Sequence, residues 1–175
     1  MSRQGHAFKR LLPQGYVFPR NAWLGVQISE QRFVERYVSY LQAVPTVGIR
    51  FLYCEPLLEP IDIRPYLQSQ RNTSHIDWVV CGGQSRNGAV PMHPEAVEFL
   101  QWQCEQAGVP FFFKQWGNWA PVEVVGLEGA GDRQVIEMSR FDGTAEDMVR
   151  VGKTVAGRVL DGQTWNQFPT SKPAE

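Results

Sequence analysis

Cysteine and histidine are both scarce in this chain, and their spacing excludes most of the chemistry that depends on them. Three cysteines, Cys54, Cys81 and Cys104, are odd in number, and each lies more than roughly twenty residues from the next, which suits neither a disulfide framework nor a clustered metal site. They are expected to be reduced thiols in or near the core. The three histidines, His6, His75 and His93, show no zinc-ligand spacing, and no Ser-His-acid arrangement is visible. No sign of charge is in excess either: 17 Lys+Arg against 18 Asp+Glu leave a formal net charge of -1. Neither a general nucleic-acid binder nor a DNA mimic is expected, because neither has the field it needs. The basic pair Lys9 and Arg10 reads as a solvated N-terminus. No apolar run approaches the length of a bilayer span, and the first residues lack a charged-then-apolar signal pattern. The expectation is a cytoplasmic protein that does not contact membranes.

Apolar patterning is plentiful. With 43% hydrophobic and 20% charged residues over 175 positions, one core in one domain is sufficient. Residues 1–21 read as a leader, 22–168 as a single α/β domain and 169–175 as a polar tail. Trp23 to Ile28 forms a short strand, and Ser29 is placed to cap the following helix, with a stripe of Phe33, Val34, Tyr37, Val38 and Leu41. Pro45 ends that helix. Ile49 to Cys54 is a second strand, stopped by Glu55-Pro56. A short helix around Arg64 to Gln70 leads to a third strand, Ile76 to Cys81. Pro94 opens the next helix and Gly108 closes it, and Val109 to Phe113 follows as a fourth strand. Such alternation, with near-continuous apolar strands, predicts parallel β-α units. Phe51, Val79, Leu100 and Phe112 are expected in the core. Beyond Trp119 a β-hairpin is expected at about 120–140, pairing Val122 to Val125 with Gln134 to Met138. Met148 to Leu160 supplies a further short strand or helix.

In parallel β-α folds the C-terminal strand ends form the functional face. Here those ends deliver Gln27, Ser29 and Glu30; Glu55; Gly82, Gly83, Gln84, Ser85 and Arg86; and Lys114, Gln115 and Trp116, with Asn118 and Trp119 beyond. A carboxylate at position 55 suits a base, a metal ligand or a partner for Lys114, the last being a purely structural ion pair. The glycine loop suits an anion, with Arg86 supplying a bidentate fork, or is simply a tight turn; it matches neither a phosphate-loop nor a dinucleotide fingerprint. Trp116 and Trp119 suit stacking, a protein contact or packing.

Several stretches, in order, resemble a known family: Asn21 to Val26, Arg50 to Asp62, Ile76 to Gly83, Pro91 to Pro94, Gly108 to Gly117, and Ala156 to Gly162 with Trp165. Over residues 21 to 168 the chain resembles the C-terminal half of an uncharacterised phage and prophage family similar to radical S-adenosylmethionine enzymes. The resemblance implies a half or incomplete TIM-type barrel with an appended C-terminal hairpin. It also implies an N-terminal three-cysteine motif for an iron-sulfur cluster, which this sequence lacks; the scattered Cys54, Cys81 and Cys104 are poor substitutes. The family commonly reads Gly-Gly-Glu-Ser-Gly where this chain has Gly82-Gly83-Gln84-Ser85-Arg86, so a carboxylate is lost and a cation gained. Two functions follow as expectations. One is a phage-encoded accessory protein without a cofactor, binding a host or defence protein in the host cytoplasm; the other is a subunit of a split enzyme completed by a cysteine-bearing barrel half. A homodimer also fits the uncovered strand edges of a half barrel, with Arg86, Trp116 and Trp119 as contact residues.

Overall fold

The computed structural model describes residues 16–19, 21–44, 47–67, 75–126 and 133–170. Four parallel strands form one sheet in the order β1 (Trp23–Gln27), β2 (Ile49–Cys54), β3 (Trp78–Gly82), β4 (Phe111–Gln115). Between them run α1 (Val34–Gln42), entered through a 3-10 turn at Gln31–Phe33, then α2 (Arg64–Leu67) and α3 (Pro94–Ala107). The expected β-α alternation is therefore present; register runs straight from β1 to β3, with Gly25 beside Phe51 and Phe51 beside Trp78, and shifts by one residue between β3 and β4 after Cys81. The expected leader residues before Tyr16, Pro45, the end of the helix after Leu67 and the tail after Thr170 lie outside the described residues.

Strand alternation sorts the side chains into two environments. Leu24, Val26, Leu52, Cys54, Val79, Cys81, Phe111 and Phe113 all face the helices and are buried with Val34, Val38, Leu41, Val97 and Leu100. The opposite face carries Trp23, Phe51, Trp78 and Phe112, whose rings meet at centroid distances of 5.6–6.0 Å. Val79 and Leu100 are core residues as expected, but Phe51 and Phe112 are only half-buried. Apolar character predicted burial for them; period two put them on the face that no helix covers. Gly25 is required there, because a Cβ would sit 2.3 Å from the Phe51 ring that lies across it.

Gly108 ends α3 in the left-handed region at φ 64°, as its position suggested. After β4 the chain builds antiparallel structure, but with other partners than the sequence suggests. Val122–Val125 is a helical turn, α4, closed by a 2.7 Å bond from Gly126 N to the Val122 carbonyl. The hairpin instead joins β6 (Val135–Ser139) to β7 (Ala145–Arg150), and β5 (Trp119–Pro121) pairs with the other side of β7. β5 ends at Pro121, opposite Met148, and the chain turns into α4 there, so the expected first hairpin strand is not formed. A turn α5 (Lys153–Ala156) and a small ribbon of β8 (Val159–Leu160) with β9 (Gln163–Thr164) follow. The chain then runs along the outer edge of β4, where Phe113 N donates to Trp165 O (3.0 Å) and Gln167 N to Phe111 O (3.2 Å). Among the described residues no helix is long and apolar enough to cross a membrane.

Candidate functional site

At the C-terminal ends of β1–β3 the sheet opens into a cleft of about 550 Å³, lined by residues of all three strand exits and by one flank of α1. Its floor is built on Glu55. That carboxylate accepts hydrogen bonds from Tyr53 Oη, from Lys114 Nζ at 2.8 Å and from Gln115 Nε2 at 2.9 Å. Lys114 Nζ also donates to Tyr53 Oη at 2.7 Å, and Gln27 Nε2 donates to the Glu55 backbone oxygen at 2.5 Å. Geometry explains the convergence: Tyr53 and Lys114 lie on strands that alternate toward the open face, and Glu55 is two residues beyond Tyr53 on the same side. Partial burial lowers the Lys114 pKa, but the bonds to Glu55 and Tyr53 outweigh it and the net shift is upward. Burial and the bond to Glu55 raise Tyr53. The ammonium is thus held charged against the carboxylate, and the phenol is held protonated. Of the three roles open for Glu55, the arrangement matches the ion-pair partner of Lys114.

Gly82, Gly83 and Gln84 are shaped by packing. A Cβ on Gly83 would lie 1.8 Å from the Trp116 carbonyl oxygen, and one on Gly117, at φ +97°, 2.3 Å from the Gln84 oxygen. The two loops are pressed backbone to backbone and tied by Gly83 N to Gln115 O (2.9 Å) and Asn118 N to Gln84 O (2.8 Å). The Gln84 side chain accepts from Val90 N, and Asn118 Nδ2 reaches Arg86 O. Of this loop's cleft-lining residues Ser85 and Arg86 are exposed, and Arg86 enters no ion pair among the described residues. Across the cleft Phe33 and Tyr37 stack with rings 5.5 Å apart and 7° from parallel.

Other expected members lie elsewhere or act differently. Lys114 and Gln115 belong to β4 itself rather than to the loop after it. Trp116 and Trp119 are 2% and 4% exposed and bond Val159 O and Ala89 O through their indole N–H groups at 2.7 Å each. They are packing residues, so they cannot form an accessible contact with Arg86; the antiparallel segment that covers them was not foreseeable from their local sequence. Ser29 does not cap α1. The first turn is entered at Glu30, which pairs with Arg32 at 2.8 Å, and Gln31 N is capped from another loop by Glu59 Oε1 at 2.6 Å. Tyr53, Phe33 and Tyr37 were missed as site residues, although the period of two that brings Glu55 inward also brings Tyr53.

The cysteines, far apart in sequence, come together beneath the sheet: Cys54 and Cys81 are register neighbours on β2 and β3, with Cys104 of α3 packed in the same core. Burial pushes the Cys54 thiol up to about 12 and raises Cys81 and Cys104 strongly. Cluster ligation requires thiolates, so these protonated core thiols do not fit an iron-sulfur group. Among the described residues, no group of three or more His, Cys, Asp or Glu could hold a metal ion. His75 pairs with Asp77 (3.0 Å) at the opposite end of the sheet, and His93 Nε2 lies 3.0 Å from the Ser139 oxygen.

A family model matches residues 1–169. The chain belongs to the family of proteins of unknown function DUF5131. No curated protein and no solved structure matches it. In this DUF5131 chain, then, the cleft must be judged on its own chemistry: a neutralised polar floor, an aromatic wall and, on the rim, a guanidinium with no ion-pair partner among the described residues.

Proposed function

We propose that this chain is a phage-encoded accessory protein that works by binding a host or defence protein, with the strand-end cleft as its contact surface. The observation that carries the reading is the closed hydrogen-bond circuit of Glu55, Tyr53, Lys114 and Gln115. A general base must be free to take a proton from a substrate within reach, whereas here the Glu55 carboxylate already accepts three hydrogen bonds and is paired with Lys114. On the rim of that floor Arg86 is an exposed residue of a type that anchors protein contacts, and exposed Leu58 adds apolar surface beside it. The radical-enzyme likeness stays a proposal about ancestry, in which the half barrel keeps the scaffold and not the cluster. The test compares tagged wild-type chain with an Arg86→Glu, Leu58→Asp double variant in phage-infected host cells. A defined protein held by the wild type, lost by the variant and then bound with micromolar or better affinity when purified supports the reading. Identical recovery by both proteins overturns it, as does turnover of a substrate by the purified chain alone.

A further inference from the structure

The outer edge of β1 is the side of the parallel sheet on which no described strand pairs. Ile28 N donates to Tyr53 O (3.1 Å) and Ala22 O accepts from Ile49 N (3.3 Å), so the even-numbered peptide groups of this strand face β2. By alternation the N–H and C=O groups of Trp23, Gly25 and Gln27 face outward. Exposed edges are ordinarily protected by charge, proline or a bulge, yet Trp23-Leu24-Gly25-Val26-Gln27 contains none of these. The opposite edge, on β4, is already occupied by Trp165 and Gln167.

The helix beside this edge has a second stripe. Val34, Val38 and Leu41 of α1 are buried against the sheet, while Phe33, Tyr37 and Tyr40 form a half-buried aromatic row along its flank. On the other flank the Gln31 side-chain oxygen accepts from Asp62 N, at the entry to α2, at 2.6 Å, and Glu35 follows one turn later on the same side. The aromatic row therefore points away from α2, over the free edge of β1. Arg36 lies exposed in this row, its guanidinium 5.8 Å from the Tyr40 ring.

We infer that the β1 edge and the aromatic flank of α1 pair with a second copy of this chain about a two-fold axis that passes between the two copies' Gly25. Antiparallel pairing then sets Trp23 opposite the second copy's Gln27 and Gly25 opposite itself, which matches every outward donor with an acceptor. The nine residues of α1 rise roughly 13 Å and the five of β1 about 13–16 Å, so the same axis passes near the middle of the helix, at Val38. It exchanges positions 36 and 40, bringing each cationic Arg36 to the electron-rich ring of the other copy's Tyr40 while keeping the two cations apart. Because the β4 edge is sealed, the contact closes as a dimer instead of extending into a filament. It does not rest on the reading of the cleft. It leaves no edge for a complementary barrel half.

The full-length chain at tens of micromolar is tested by sedimentation equilibrium and by amide exchange in NMR. The expected mass is twice 19.9 kDa, with the amides of Trp23, Gly25 and Gln27 protected as strongly as those of Val26 and Ile28. Arg36→Glu should weaken the dimer about tenfold or more, and the Arg36→Glu, Tyr40→Lys double variant should restore it through an opposite-charge pair. A monomer overturns the inference, whether its outward amides exchange freely or are protected within the chain. So does a dimer indifferent to Arg36→Glu.

Discussion

Replacing Glu55 by glutamine is the sharpest test of the site floor, because it keeps the shape and changes only charge and one donor. Glu55 is 14% exposed and Lys114 39% exposed, so solvent screens the ion pair and its loss is worth about 1 kcal/mol. The second cost is geometric. Gln115 Nε2 donates to Glu55 Oε1 at 2.9 Å and to Gly83 O at 2.8 Å. If the glutamine introduced at position 55 keeps its oxygen toward Tyr53 and Lys114, its NH2 meets the NH2 of Gln115, donor against donor. Rotating Gln115 relieves that clash but breaks the buried bond to Gly83 O, at a cost of about 1–2 kcal/mol. The expected sum is about 2–3 kcal/mol, a fall in melting temperature of about 5–10 °C for a domain of this size. Urea denaturation of the wild type, Glu55→Gln, Lys114→Met and the double variant forms a cycle in which the two sites should couple by about 1 kcal/mol. Additive effects, or a single variant within about 0.5 kcal/mol of wild type, a range ordinary for surface substitutions, would show that the circuit is a surface contact with no hold on the fold.

Further outcomes follow from burial and charge. All three thiols should ignore a thiol reagent in the native chain at mildly alkaline pH and react together on denaturation, since Cys54 is pushed up to about 12; fast native labelling would refute the core assignment. Trp119→Phe should cost about 1–2 kcal/mol by leaving the buried Ala89 carbonyl without its donor, seen as an earlier thermal unfolding. Asp161 is the one described residue other than glycine with positive φ, 52°, and its carboxyl pKa is raised by burial and then by Glu98 and Glu123. A raised acid disfavours its charged form in the fold, so the penalty is full above the folded pKa and vanishes below the unfolded one. Asp161→Asn, which tolerates the left-handed region, should therefore raise the melting temperature at neutral pH, and the gain should fade as pH falls through the carboxylate range; a pH-independent effect would count against the charge.

The amino-acid sequence by itself determined the parallel core. Helix bounds such as Pro94 and Gly108 and the strand bounded by Glu55-Pro56 are written in local backbone chemistry, which the rest of the fold does not need to supply. It also placed Glu55, Gln84, Ser85 and Arg86 at strand ends, because in β-α units chain order sets which end a loop occupies. Tertiary structure decided what depends on neighbours distant in the chain. Phe51 and Phe112 are as apolar as Phe111 and Phe113, yet they stand on the face without a helix cover, since burial belongs to the second layer and not to the residue. Trp116 and Trp119 became core only when β7 and the segment around Val159 closed over them. Cys54 and Cys81 became neighbours by strand register and Cys104 by the packing of α3 on the sheet, and Glu59 became the cap of the 3-10 turn at Gln31, 28 residues earlier. The role of Glu55 follows the same rule: a carboxylate before a proline is open chemistry in sequence, and it becomes a closed ion pair only when β4 brings Lys114 and Gln115 beside it, because electrostatic roles are set by distance in space.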